Sequence, residues 1–140
     1  MFGIIFFMKK KVVLTYGTFD LFHYGHDNIV MKAKEAGDYL IVGLSTDKFN
    51  TSKGKKAFDD FETRKNNLLK TGLVDLVIPE SHWEQKIKDI KHYKVDLFVM
   101  GSDWEGKFDE LNVHCMVKYF PRTKGISSTQ LREEISKNKK

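Results

Sequence analysis

The chain has 140 residues, enough for one domain that buries a core without a disulfide or metal. Apolar residues are 41% and charged residues 31%, which excludes a disordered or collagenous chain, and the single cysteine, Cys115, excludes an internal disulfide framework or a cysteine-rich zinc site. The net charge of +5 sits at the ends: without Lys9, Lys10, Lys11, Lys137, Lys139 and Lys140, +5 less six leaves −1 for residues 12–136, so no basic stripe invites a nucleic acid.

Residues 1–11 read as an N-terminal extension and 137–140 as a basic tail, flanking one domain over 12–136. The run Ile4-Ile5-Phe6-Phe7 is too short to span a bilayer. Lys9, Lys10 and Lys11 follow that run, whereas a signal peptide places its charges first. No membrane association and a cytoplasmic location are expected.

Apolar runs at 12–16, 40–44, 74–78, 95–100 and 113–120 predict five strands, most of them buried on both faces. Helical patterns fill the gaps. Residues 26–36 place Ile29, Val30, Ala33 and Ala36 on one face, with Gly37 as a stop. Residues 61–71 show a weaker period. Residues 83–93 space Trp83, Ile87 and Ile90 at i, i+4 and i+7, which makes Trp83 a core residue. Residues 128–137 carry Leu131 and Ile135 at i, i+4. This alternation predicts an α/β fold with a mostly parallel sheet covered on both sides. Cys115 falls in the fifth run and reads as a small buried apolar residue. His82, His92 and His114 show no partner pattern.

In such folds ligands sit beyond the carboxyl ends of the strands. Three polar loops lie there. The first runs Gly17-Thr18-Phe19-Asp20-Leu21-Phe22-His23-Tyr24-Gly25-His26. Its two histidines flank a glycine at a helix entrance, where unpaired N–H groups suit a phosphate. Metal ligation by His23, His26 and Asp20 is a rival reading, disfavoured by the lack of a cysteine or third histidine nearby. The second is Lys53-Gly54-Lys55-Lys56, whose lysines could close over an anionic substrate. It is not a Walker loop, because Phe49 stands where Gly is required and no Ser or Thr follows Lys55. The third is Arg122-Thr123-Lys124-Gly125-Ile126-Ser127-Ser128-Thr129, which opens the last helix. Ser127 with Gln130 fits a capping box. Arg122, Gly125 and the hydroxyls go beyond a cap and suit a triphosphate.

Gly-Thr-Phe-Asp followed by His-x-Gly-His, together with Arg-Thr-x-Gly-Ile-Ser-x-Thr, resembles the signature pair of the nucleotidylyltransferase superfamily. The stretches Gly37-Asp38-Tyr39, Trp83-Glu84-Gln85-Lys86 and Gly101-Ser102-Asp103-Trp104-Glu105-Gly106 resemble its glycerol-3-phosphate cytidylyltransferase branch. The resemblance implies a Rossmann-like three-layer sandwich with a mostly parallel five-stranded sheet. It implies cytidylyl transfer from CTP to a small phosphorylated alcohol, most simply sn-glycerol 3-phosphate, giving CDP-glycerol for cell-wall or capsule polymers such as teichoic acid. Cytidylyl transfer to another polyol or amino-alcohol phosphate, and adenylyl transfer, are the enzymatic alternatives. A non-catalytic nucleotide-binding regulator is a third, opposed by the presence of all five basic motif residues.

By the same resemblance His23, His26, Lys53, Lys55 and Arg122 are catalytic. The nucleotide is bound by Thr18, Phe19, His23, Tyr24, Gly25, His26, Lys55, Asp103, Arg122, Thr123, Lys124, Gly125, Ile126, Ser127, Ser128 and Thr129. The acceptor is bound by Lys53, Arg64 and Lys86. Mg²⁺ is expected with CTP, with no protein ligand assigned, and a homodimer is expected. Gly72 departs from the family, which usually carries arginine there. Ser102, where relatives often carry Asp or His, is a smaller departure. Trp104, beside Asp103, is placed for a nucleotide contact.

Overall fold

The computed structural model describes residues 10–121, with Leu131 and Ile135. Five strands form one sheet: β1 (Val12–Gly17), β2 (Tyr39–Ser45), β3 (Leu76–Glu80), β4 (Leu97–Gly101) and β5 (Met116–Phe120). The helices are α1 (Tyr24–Glu35), α2 (Asp47–Ser52), α3 (Phe61–Lys70) and α4 (Gln85–His92), with 3-10 turns at Ser102–Trp104 and Asp109–Val113. Strand order is β3-β2-β1-β4-β5 and every pairing is parallel. The α/β, Rossmann-like expectation holds, with a sheet that is wholly rather than mostly parallel.

The alternation of side chains along each strand builds two cores. Val13, Leu40, Val42, Leu44, Leu97 and Val99 pack under Val30 and Ala33 of α1 and Leu68 of α3. Leu14, Ile41, Ile78, Phe98 and Met100 pack under Ile90 of α4 and the loop residues Phe108 and Leu111. The sheet is therefore the middle of three layers. Pro79 is tolerated in β3 because β3 is an edge strand.

Several boundaries move for physical reasons. Residues 74 and 75 do not open β3. The Asp75 carboxylate instead accepts from Leu40 N–H at 2.8 Å and Lys34 Nζ at 2.7 Å, tying the strand's entrance to its neighbours. The predicted fifth strand loses its start: Asp109–Val113 form a 3-10 turn and Val113 is 85% exposed. Cys115 then lies just before β5, half-buried, and burial pushes its thiol pKa up. The short helix α2 was not expected. Thr46 caps it by accepting from Phe49 N–H at 3.0 Å. Trp83 is not on α4 and not in the core. It lies before the helix, 48% exposed. Gly72 follows the α3 cap residue Thr71 with φ +73°, the left-handed geometry in which glycine ends a helix without strain. Of the predicted last helix, Leu131 and Ile135 are helical; its other residues lie outside those described.

Candidate active site

Chain order runs outward from β1 through β2 to β3, then returns to place β4 on the other side of β1. The crevice at that reversal is where an open parallel sheet binds ligands. Here it forms a cleft of about 310 Å³. Four strands feed it from their carboxyl ends: Tyr16 and Gly17 from β1, Ser45 from β2, Glu80 from β3 and Met100 from β4.

One side of the cleft is built by the β1–α1 loop. A Cβ on Gly17 would lie 2.7 Å from the Phe19 ring, so only glycine lets that ring fold back over the strand end. Phe19 and Leu21 have φ of +50° and +48°, an uncommon conformation for such residues that marks a constrained loop. Asp20 between them is buried. Its two carboxylate oxygens accept from Phe58 N–H at 2.8 Å and Asp59 N–H at 2.9 Å, which fastens the lysine loop's far end to this one.

His23 is the N-cap of α1 and stacks on His26, with ring centroids 3.8 Å apart. His23 Nδ1 accepts from Gly25 N–H at 3.0 Å, and His26 Nδ1 accepts from His23 N–H at 3.4 Å. An imidazole that accepts at Nδ1 carries its proton at Nε2. Burial, then the neighbouring His23, lowers the His26 pKa to about 3, while Asp20 opposes the shift. His26 is thus a neutral donor through Nε2. Phe19 and Phe22 pack on its ring at 5.2 and 5.3 Å and fix its plane.

The opposite wall is a charged chain in an aromatic frame. Lys86 Nζ pairs with Glu80 Oε2 at 3.0 Å, both side chains nearly buried at 7% and 5% exposure. Ser45, in register with Glu80 across β2 and β3, donates to its Oε1 at 3.0 Å. Lys53 Nζ donates to Ser45 Oγ at 3.3 Å. The indole of Trp83 lies 5.3 Å from Lys53 Nζ and 5.2 Å from Lys86 Nζ, so one ring faces both ammonium groups. Phe49 adds to the cradle of Lys53, and Tyr16 and Phe108 to that of Lys86. Burial lowers the Lys53 pKa; Glu80 opposes that shift, and Lys55, Lys86 and Arg64 add to it. Burial also raises the Tyr16 phenol, which donates to Asp89 Oδ2 at 2.6 Å.

Of the expected site residues, Thr18, Phe19, His26, Lys53, Lys55 and Lys86 line this cleft together. His23 joins through its stack on His26, and Gly25 lies in the first turn of α1. Tyr24 is exposed. Asp103 is outside the lining, exposed on the 3-10 turn beside Trp104, which is inside it. Arg64 does not line the cleft at all. It is fully buried beneath it, with Nε on Asp59 O at 3.0 Å, Nη1 on Thr18 O at 2.9 Å and Ser45 O at 2.8 Å, and Nη2 on Asp47 Oδ1 at 2.7 Å. Arg122, Thr123, Lys124, Gly125, Ile126, Ser127, Ser128 and Thr129 lie outside the described residues. Trp83, Glu80, Ser45 and Tyr16 are cleft residues that the sequence reading missed. Ser45 and Glu80 each end a strand, and that position was the available signal.

Four lysines face two carboxylates in the lining, so the cleft suits an anion. No group of three or more His, Cys, Asp or Glu among the described residues could hold a metal ion. Both lining carboxylates are engaged, Asp20 by backbone N–H groups and Glu80 by Lys86 and Ser45. The described cleft therefore does not fit a protein-held cation.

Replacing Arg64 strands buried carbonyl oxygens at Thr18, Ser45 and Asp59. Arg64→Met is expected to cost about 3 kcal/mol or more in urea unfolding, and Arg64→Lys to recover part of it, since a single ammonium cannot span four acceptors.

The cytidylyltransferase-like family model matches residues 14–134. The glycerol-3-phosphate cytidylyltransferase of Bacillus spizizenii is 57% identical over 92% of this chain and 98% of its own length. That of Staphylococcus aureus is 54% identical over 89% of this chain and 95% of its own. The crystal structure of the lipopolysaccharide core biosynthesis protein of Thermoplasma volcanium superposes with a TM-score of 0.69 at 25% identity, covering 84% of this chain and 100% of that one. A family match across nearly the whole domain, relatives matched over almost their full length, and the same cleft-bearing sheet lead to one conclusion: the chain belongs to the cytidylyltransferase-like family, alongside the glycerol-3-phosphate cytidylyltransferases.

Proposed function

We propose that this protein transfers the cytidylyl group of CTP to sn-glycerol 3-phosphate, forming CDP-glycerol and pyrophosphate. The observation that carries this reading is the meeting, in one cleft, of the His23–His26 stack at a helix N-terminus with the Lys53–Ser45–Glu80–Lys86 chain. One half suits a triphosphate and the other a phosphate monoester. The relatives' activity agrees with it.

A phosphate oxygen of the acceptor forms a bond to the α-phosphorus. The bond from that phosphorus to the bridging oxygen breaks, and its electron pair leaves with pyrophosphate. The chain's part is alignment and neutralisation of charge. His26 donates from Nε2 to the phosphorus-bound oxygens and stays neutral far below working pH. Lys53 and Lys86 hold the acceptor phosphate. An ammonium has three N–H donors, and the Glu80 bond uses one of those on Lys86. Lys55, Thr18 and Phe19 meet the nucleotide. Arg122 and residues 123–129 are assigned to its triphosphate by motif, as Tyr24, Gly25 and Asp103 are to the nucleotide. No described residue of the cleft would hold Mg²⁺; supplied with CTP, it would offset phosphate charge.

The acceptor half also selects. Two ammonium groups already occupy the faces of Trp83, Phe49, Tyr16 and Phe108. An acceptor carrying its own ammonium would meet like charge there. An uncharged polyol phosphate meets none, which favours glycerol phosphate over phosphocholine or phosphoethanolamine. The protein works in the cytoplasm as a homodimer on this reading. In support, no helix among the described residues is long and apolar enough to cross a membrane, and the sole cysteine gives no internal disulfide.

Pyrophosphate release is the direct test. With Mg²⁺, release is expected with CTP plus sn-glycerol 3-phosphate and not with ATP, nor with phosphocholine or phosphoethanolamine as acceptor. Turnover with ATP, or with an ammonium-bearing acceptor, would overturn the assignment.

His26→Ala removes one transition-state donor. A loss of roughly 10²–10³ in kcat is expected, with an unchanged far-ultraviolet circular dichroism spectrum.

Lys53 binds the acceptor in its charged form, and its lowered pKa means that charge is lost at lower pH than for an ordinary lysine. The acceptor KM is therefore expected to climb at a pH below that at which an ordinary lysine loses its charge. Lys53→Arg should move that climb to higher pH.

A further inference from the structure

Asn50, at the end of α2, is 1% exposed and has been given no role above. Its backbone oxygen accepts from Lys53 N–H at 3.1 Å and Lys55 N–H at 2.8 Å. Its side chain reaches the other way. The amide oxygen lies 3.2 Å from Thr18 Oγ1, and the amide nitrogen is buried with no partner among the described residues.

The two ends of an amide have the same shape, so hydrogen bonding decides which one faces a neighbour. Two observations favour the nitrogen facing Thr18. A distance of 3.2 Å lies beyond the usual O–H···O range, which ends near 3.0 Å, and just within that of N–H···O. The turned amide also gives its nitrogen an acceptor. The group then left buried and single is a carbonyl, which native structures tolerate better than an orphaned N–H.

We propose that Asn50 is a positioning residue for the nucleotide: its Nδ2 donates to Thr18 Oγ1, so that the hydroxyl proton of Thr18 points into the cleft. This rests on the nucleotide reading above and deepens it. With the amide oxygen toward it, Thr18 spends its only proton on Asn50 and offers an anionic phosphate nothing but lone pairs. With the nitrogen toward it, the hydroxyl oxygen is satisfied from behind and its proton goes to the ligand. Thr18 lines the cleft, whereas Asn50 does not. Asn50 therefore acts through Thr18 alone.

A double-mutant cycle on CTP binding tests this. Wild type, Asn50→Ala, Thr18→Val and the double variant are titrated with CTP and Mg²⁺ by calorimetry. Each single variant is expected to weaken CTP roughly tenfold, the worth of one hydrogen bond to a charged group. The double variant is expected to be no weaker than Thr18→Val alone. Losses that multiply in the double variant would overturn the proposal. A merely structural role is separated by kinetics. If the Asn50 side chain only braced residues 53–55, Asn50→Ala would raise the KM of sn-glycerol 3-phosphate as much as that of CTP. The proposal expects the CTP value alone to rise, and a matched rise in both would sink it. Should Asn50→Ala fail to fold, Asn50→Asp keeps the volume and loses the N–H donors. Its added charge acts with or without Thr18→Val, so the cycle again reads the coupling. A wild type that binds CTP yet releases no pyrophosphate would overturn the assigned reaction while the cycle still judged Asn50.

Discussion

The cleft depends on one buried guanidinium. Arg64 joins four pieces of chain that are distant in sequence: the β1–α1 loop through Thr18 O, the end of β2 through Ser45 O, the start of α2 through Asp47, and the approach to α3 through Asp59 O. Each contributes a group to the cleft or fixes a neighbour that does. Only arginine can do this, because its planar fork presents five N–H groups in fixed directions. A buried cation is costly unless its donors are met, and here four are. The requirement runs both ways. The loops must adopt the geometry that satisfies Arg64, and that geometry puts Thr18 beside the cleft and Ser45 next to Glu80.

The second constraint is electrostatic. One half of the cleft ties the buried Lys86 to Glu80 directly and the half-buried Lys53 to it through Ser45, while on the other side burial and the neighbouring His23 keep His26 neutral. Positive charge and neutral donors are thus separated across about 310 Å³. This division suits a reaction in which an anion must approach another anion. Full positive charge holds the incoming phosphate, and pre-aimed neutral donors meet the charge that develops on phosphorus oxygens. Asp20 joins the halves, since its carboxylate fastens the segment after the lysines to the loop before the histidines.

Much of this was legible in the sequence, for identifiable reasons. Long apolar runs and a strand–turn–helix histidine pair are local signals: each run contains a strand, though its ends shift, and the histidines sit at the start of α1. Helix α2 was not legible because six residues span fewer than two helical turns, too few for an amphipathic pattern to repeat. Trp83 was misread because the i, i+4, i+7 spacing extends one turn too early. Gln85 Oε1 instead accepts from Ser81 and His82 N–H and holds that segment off the helix, which turns the indole toward the lysines. Arg64 was assigned to the acceptor by resemblance to a basic position of the family; only its burial shows that its donors face the chain. Ser45, Glu80 and Asn50 are ordinary residues in sequence. They become a site through the parallel register of β2 with β3 and the approach of α2 to β1, which no short window contains.

The same distinction bears on Gly72. By resemblance, the arginine that glycine replaces here belongs near the acceptor side or at dimer contacts, and its loss suggests a change of substrate. The fold suggests otherwise. Gly72 ends α3 with φ +73°, does not line the cleft, and would find no neighbour within 4 Å for an added Cβ. Within the subunit its effect is on how α3 stops. The cations assigned to the acceptor phosphate under the proposed function, Lys53 and Lys86, are both present and both held from behind, one by Ser45 and the other by Glu80. On the proposed reading, acceptor choice lies with the aromatic frame around two ammonium groups, a feature that glycine at the end of α3 leaves intact.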